Sequence, residues 1–142
     1  MIWLTFSLET FAQISAYPVK PIKLIAPVAA GGGLDNIARA VAEKLSRSLG
    51  QPVIVENIGG GGGAIASQAV AKAPADGYTL MVAYVGTHGT NPATRKVPYD
   101  PIKDFVPVSL TIQSPLVLLI NPSLPVNNFK EFVAYAKANP NK

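Results

Sequence analysis

Two glycine-rich turns, each set between a short apolar run and a helical pattern, constrain this chain more than any other feature. The first is Pro27-Val28-Ala29-Ala30-Gly31-Gly32-Gly33-Leu34-Asp35, and the second is Glu56-Asn57-Ile58-Gly59-Gly60-Gly61-Gly62-Gly63. A strand, a glycine turn and a helix start, in that order, leave free backbone N–H groups at the positive end of a helix dipole. Such a turn holds an anion without a charged side chain. Two of them in one small chain point to recognition of carboxylates or phosphates. The plainer reading, tight chain reversal and close helix–strand packing with no ligand, stays open beside it.

The flanking pattern is regular. Lys20–Ala26 predicts a first strand, which the prolines confine to begin near Ile22. Ile37, Val41, Leu45 and Leu49 recur at helical spacing, so a helix is predicted over Leu34–Leu49, stopped by Gly50. Asp35 falls in its first turn or at its cap, where a carboxylate is favoured, and Arg39 lies four residues on. Val53–Glu56 reads as a second strand, Ala64–Lys72 as a second helix and Tyr78–Ala83 as a third strand. This alternation predicts a parallel sheet with right-handed crossovers. Ligands of such sheets gather beyond the carboxyl ends of the strands. Both glycine turns fall there, as does the polar loop Tyr84–Pro92, which offers Thr87, His88 and Asn91. Val106–Ile112 and Leu116–Ile120 read as two further strands, and Phe129–Ala138 as an amphipathic helix. A chain end directly after a helix, with no returning strand, is the pattern expected of a clipped protein.

Composition excludes several classes. With 142 residues, 49% hydrophobic and 14% charged, the chain can bury a real core. The net charge of +4 is scattered, which gives no nucleic-acid footprint. There is no cysteine, and His88 is the single histidine, so thiolate chemistry and histidine-rich metal sites are excluded. No Gly-x-Ser-x-Gly elbow or carboxylate pair marks an enzyme, and no cofactor is expected. Gly59-x-Gly61-x-x-Ala64 formally meets a dinucleotide fingerprint. However, Asp76 precedes the third strand, whereas the ribose-binding acid should follow it. Residues 1–16 read as the remnant of a secretory signal: Met1–Leu8 is apolar and Ile14-Ser15-Ala16 offers a small-residue cleavage site. Glu9 and the missing basic start are atypical of such signals.

The ordered motifs carry a resemblance. Tyr17-Pro18-x-Lys20-Pro21-Ile22-Lys23-Leu24-Ile25, the first glycine turn with Asp35, Ala38-Arg39, and Leu49-Gly50-Gln51-Pro52-Val53 begin the series. Glu56-Asn57 with the second turn, Val70–Leu80, Asn91-Pro92, Pro98–Val108 and Pro122-Ser123-x-Pro125 continue it. Together they resemble the Bug family of periplasmic solute receptors, which serve tripartite tricarboxylate transporters. The resemblance implies an α/β fold of the periplasmic-binding-protein type II kind, with a mainly parallel sheet flanked by helices. It places a partial first lobe over 17–108, and crossing strands with the start of an incomplete second lobe over 109–142. It further implies a monomeric, exported receptor that catches a small carboxylated compound and delivers it to a membrane permease. Carried over by position, the ligand contacts are Val28, Ala29, Gly31, Gly32 and Asp35 after strand one, and Thr87, His88 and Asn91 after strand three, with Gly61 and Gly62 lining the cleft. Val28 stands where the family usually has an aromatic, and the glycine run replaces a more typical Arg-Pro-Gly-Ala. A receptor missing half its cleft wall is expected to bind weakly. A nucleotide-cofactor enzyme fragment and a non-binding remnant remain as alternatives.

Overall fold

A computed structural model of the chain describes residues 17–115 and 117–140; the proposed signal remnant at 1–16 lies outside them. The chain divides into two compact units, Met1–Ser109 and Leu110–Lys142.

The first unit is built on a three-stranded parallel sheet. Strand β1 is Ile22–Ala26, β2 is Val53–Asn57 and β3 is Thr79–Met81, in the spatial order β2-β1-β3. Ile22 pairs with Val53 and Ala26 with Asn57 on one side, and Lys23 pairs with Thr79 and Ile25 with Met81 on the other. The ladder runs on past the strand ends: the Ile58 amide donates to the Ala26 carbonyl at 3.0 Å, and the Val82 amide to the Ile25 carbonyl at 3.0 Å. Because β1 is central it is apolar on both faces. Ile22, Leu24, Ile25 and Ala26 are buried, and only Lys23 reaches solvent, paired with Glu56 at 3.4 Å.

Helix α1, Gly33–Leu49, covers the sheet with the small residues Ala38 and Ala42 against β1, flanked by Ile37, Val41, Leu45 and Leu49. The periodicity predicted this stripe, and Gly50 ends the helix in the left-handed conformation (φ 67°) with its N–H on the Ser46 carbonyl. The Ser46 hydroxyl donates to the Ala42 carbonyl and accepts the Val53 amide, both at 2.8 Å, which ties the helix end to the first residue of β2. Helix α2, Ala64–Ala71, follows the second glycine turn.

Two sequence expectations are corrected. The segment after β3, read as a loop, is coiled: a π-type turn at Gly86–Thr90 runs into α3, Asn91–Thr94, with Pro92 in its first turn. Val106–Ile112 and Leu116–Ile120, read as strands, have no ladder partner among the described residues. A strand exists only where a neighbour supplies hydrogen bonds, and alternation alone does not provide one. Val106, Val108, Leu110 and Ile112 are exposed.

The second unit carries α4, Phe129–Ala138, at the bounds its amphipathic pattern predicts. Asn128 caps it by accepting the Glu131 amide at 3.0 Å, and Glu131 reaches back to the Asn127 amide at 2.8 Å.

Candidate functional site

All three strands end on the same edge of the sheet, so the segments that follow them meet. The turn after β1 lies between the other two. A Cβ placed on Gly59 would stand 3.6 Å from the Ala29 nitrogen, so the second turn lies directly against the first. A Cβ on Gly63 would stand 2.6 Å from Thr87 Cγ2 and 3.1 Å from Pro27 Cβ, a three-way contact that only glycine fits.

Asp35 organises the first turn. It is 2% exposed, and its Oδ2 accepts the Gly31 amide at 2.8 Å and Arg39 Nε at 3.0 Å. Its Oδ1 accepts Asn57 Nδ2 at 2.8 Å. Asn57 also donates to the Val28 carbonyl at 3.3 Å and accepts Arg39 Nη2 at 3.1 Å, which joins the end of β2 to the turn. The Arg39 hydrogen bond, then the Gly31 amide and Asn57, hold the Asp35 carboxyl down to about 2 from its ordinary 3.8. The Gly31 N–H is thus spent inside the turn, and a turn at Ala30-Gly31 faces the Gly32 N–H toward the Ala29 carbonyl, while Ala29, Ala30 and Gly33 are exposed and their N–H groups have no acceptor among the described residues. These stand at the start of the 17-residue α1, where the dipole favours an anion.

The second turn is held from the segment after β3. Asn91 Nδ2 donates to the Gly62 carbonyl at 2.7 Å and Tyr84 Oη donates to the same oxygen at 3.1 Å. The Arg95 guanidinium donates to the Gly61 carbonyl.

Thr87 is fully buried at the back of this segment. Its hydroxyl donates to the Tyr84 carbonyl at 2.9 Å and accepts the Tyr84 amide at 3.1 Å. Its remaining lone pair faces His88 Nδ1 at 2.9 Å, so the neutral ring is assigned its proton on Nδ1, which leaves Nε2 as an acceptor. Burial pushes His88 below its ordinary 6.5. The ring packs edge-on against Phe105, with centroids 4.6 Å apart, and Tyr99 donates its hydroxyl to the Thr87 carbonyl at 2.6 Å.

Every sequence-predicted site residue therefore falls on one edge of one unit. Ala29, Gly32, Gly61 and Gly62 present exposed backbone, and Val28 and His88 are half-buried. Asp35, Thr87 and Asn91 are buried, with hydrogen bonds to other protein groups. Sequence reasoning missed Asn57, Tyr84, Arg95 and Tyr99. An asparagine at a strand end before a glycine run is a usable signal for the first, since its side chain readily serves neighbouring backbone. The other three act across long sequence separations that no local pattern reports.

Comparison with known proteins agrees with this architecture. Residues 37–142 match the family described as the tripartite tricarboxylate transporter family receptor. The chain is 41% identical over 137 residues to protein BugT of Bordetella pertussis, covering 91% of this chain and 41% of BugT. It thus spans about two-fifths of the length of the curated relatives it matches. Among solved structures, MatC from Rhodopseudomonas palustris with bound malate is 39% identical with a TM-score of 0.76, covering 87% of this chain and 42% of that one. Rpa4515 from R. palustris with adipate is 38% identical with a TM-score of 0.75, covering 86% and 41%. The periplasmic binding protein BugD is 37% identical with a TM-score of 0.63, covering 87% and 41%. The chain belongs to the tripartite tricarboxylate transporter receptor family, a family of periplasmic solute-binding proteins and not of enzymes.

Proposed function

We propose that this chain supplies the strand-end half of a receptor site for a small dicarboxylate, handed on to the permease of a tripartite tricarboxylate transporter. The observation that carries this reading is the set of exposed, unpartnered amides at Ala29, Ala30 and Gly33, leading into α1. Relatives of the same fold hold malate and adipate, which supports a carboxylate as the anion. Val28 forms the half-buried floor of the turn. Gly62, Thr87, His88 and Asn91 form the adjoining wall, where His88 Nε2 faces ligand as an acceptor when neutral and as a donor when charged. Gly31 and Asp35 serve the site by shaping the turn. An amide hydrogen bond to a carboxylate contributes roughly 1.5–3 kcal/mol net. Two or three of them, without an opposing wall, give an affinity of about millimolar.

Amide NMR of the isotopically labelled chain, titrated with malate, adipate and a neutral diol, tests this. Progressive shifts at Ala29–Gly33 with the acids alone are expected. Equal shifts with the diol, or shifts confined to residues away from the glycine turns, would refute the reading. A shift produced only by a dinucleotide would replace it with a cofactor site.

A further inference from the structure

The second glycine turn makes an uncommon demand on the fold. Gly60, Gly61, Gly62 and Gly63 have φ of 106°, 56°, 62° and 86°, four successive residues in conformations that side chains resist. Glycine loses the most backbone entropy on ordering, and a run of it has no side chains with which to fix itself. Part of the fixing is local: the Gly63 amide donates to the Gly60 carbonyl at 2.9 Å and the Ala64 amide to the Gly61 carbonyl. The rest comes from elsewhere in the chain. Tyr84, Asn91 and Arg95 donate to the carbonyls of Gly61 and Gly62 from 22 to 34 residues away.

The direction of those bonds matters. The Gly61–Gly62 peptide is trans, so its N–H points opposite to its carbonyl. The Gly61 carbonyl accepts both the Ala64 amide and the Arg95 guanidinium, so the Gly62 N–H is held the other way, and it has no acceptor among the described residues. The packing is close: a Cβ on Gly62 would lie 2.9 Å from Arg95 Nη2 and 3.2 Å from Asn91 Oδ1. We infer that Tyr84, Asn91 and Arg95 are positioning residues, which hold the Gly61–Gly62 peptide so that its N–H is presented to a carboxylate bound at the neighbouring first turn. This rests on the receptor reading above and adds a second donor, set by residues that need not touch the ligand. It also gives Asn91 a supporting role in place of a direct contact.

The test uses the labelled full chain with succinate as probe, in the wild type and in Tyr84→Phe, Arg95→Met and Arg95→Lys. The Gly62 amide resonance is expected to move with succinate in the wild type. Affinity is expected to fall about fivefold in Arg95→Met and in Tyr84→Phe, in line with one lost hydrogen bond, and to recover in Arg95→Lys. The backbone heteronuclear NOE at Gly61 and Gly62 should fall in the two weakened variants while that of α1 stays constant. Unchanged affinity in both variants, or a Gly62 amide that ignores succinate while Ala29–Gly33 respond, overturns the inference and leaves the receptor reading standing. If succinate moves no amide of the wild type, the receptor reading fails. The inference, which rests on that reading, is overturned with it.

Discussion

The Asp35 carboxylate accepts the Gly31 amide at 2.8 Å across the turn that separates β1 from α1, and the same oxygen accepts Arg39 Nε at 3.0 Å. A buried acid therefore sets the course of a loop whose exposed amides are proposed to meet ligand. Replacing it strands three donors at once, on Gly31, Arg39 and Asn57. Asp35→Ala is expected to lower the melting temperature by roughly 4–8 °C, the shift that about 1 kcal/mol produces in a domain of this size. Asn57→Ala should give a smaller drop. A thermal melt followed by circular dichroism checks both, and equal melting of wild type and Asp35→Ala would contradict the keystone role.

The same carboxylate gives an acid limit. Its folded value of about 2 lies below the ordinary 3.8, so the unfolded chain takes up the proton first as pH falls. The stabilisation is complete above 3.8, declines between 3.8 and about 2, and is gone below that. Asp35→Asn carries no such slope. The stability gap between wild type and Asp35→Asn should therefore narrow as pH falls through this window, as read by denaturant titration at several pH values. A constant gap would contradict the assignment. His88 runs in the same sense at higher pH: with its folded value pushed down, its contribution is intact above 6.5 and is lost as pH falls through the lowered value.

Two glycines of the second turn should respond differently to added bulk. Gly63 has φ +86°, and a Cβ there meets Thr87 Cγ2 at 2.6 Å, so Gly63→Ala combines left-handed strain with overpacking. A loss of about 2–4 kcal/mol in chemical denaturation is expected. Gly59 has neither problem, since its nearest neighbour would be the Ala29 nitrogen at ordinary contact distance, 3.6 Å. Gly59→Val should leave stability within about 0.5 kcal/mol yet crowd that amide and weaken dicarboxylate binding. Comparable destabilisation by both changes would show that the second turn is not packed as described.

Tyr99 is 7% exposed, and its hydroxyl donates to the carbonyl of fully buried Thr87 at 2.6 Å. Tyr99→Phe keeps the ring against Phe105 but removes that bond. The expected cost is about 1–2 kcal/mol, with the His88 ring signals shifting in NMR as its platform relaxes. A neutral outcome would mean that water replaces the hydroxyl.

Much of this edge was legible in the sequence, and what escaped shows why. Ile22–Ala26 and the stripe from Ile37 to Leu49 are periodic, and Gly50 stops the helix by local sterics, so their placement needs no tertiary knowledge. Asn91-Pro92 could have announced the short helix after β3, because proline suits a helix's first turn. Val106–Ile112 misled because alternation reports a face and not a partner. Tyr84 and Arg95 have no local signature, since their acceptors are backbone carbonyls more than twenty residues away. The conformation of Gly60–Gly63 could be guessed from composition, but which groups hold it could not.

The position of β1 between β2 and β3 has a consequence for how competence arises during folding. The loop that follows β1 acquires its flanks only after two separate crossovers have been completed, one on each side. An intermediate with a single docked neighbour therefore offers solutes a half-built, poorly shaped rim. Capture of a small acid would then report, in a single measurement, that the last strand has found its place.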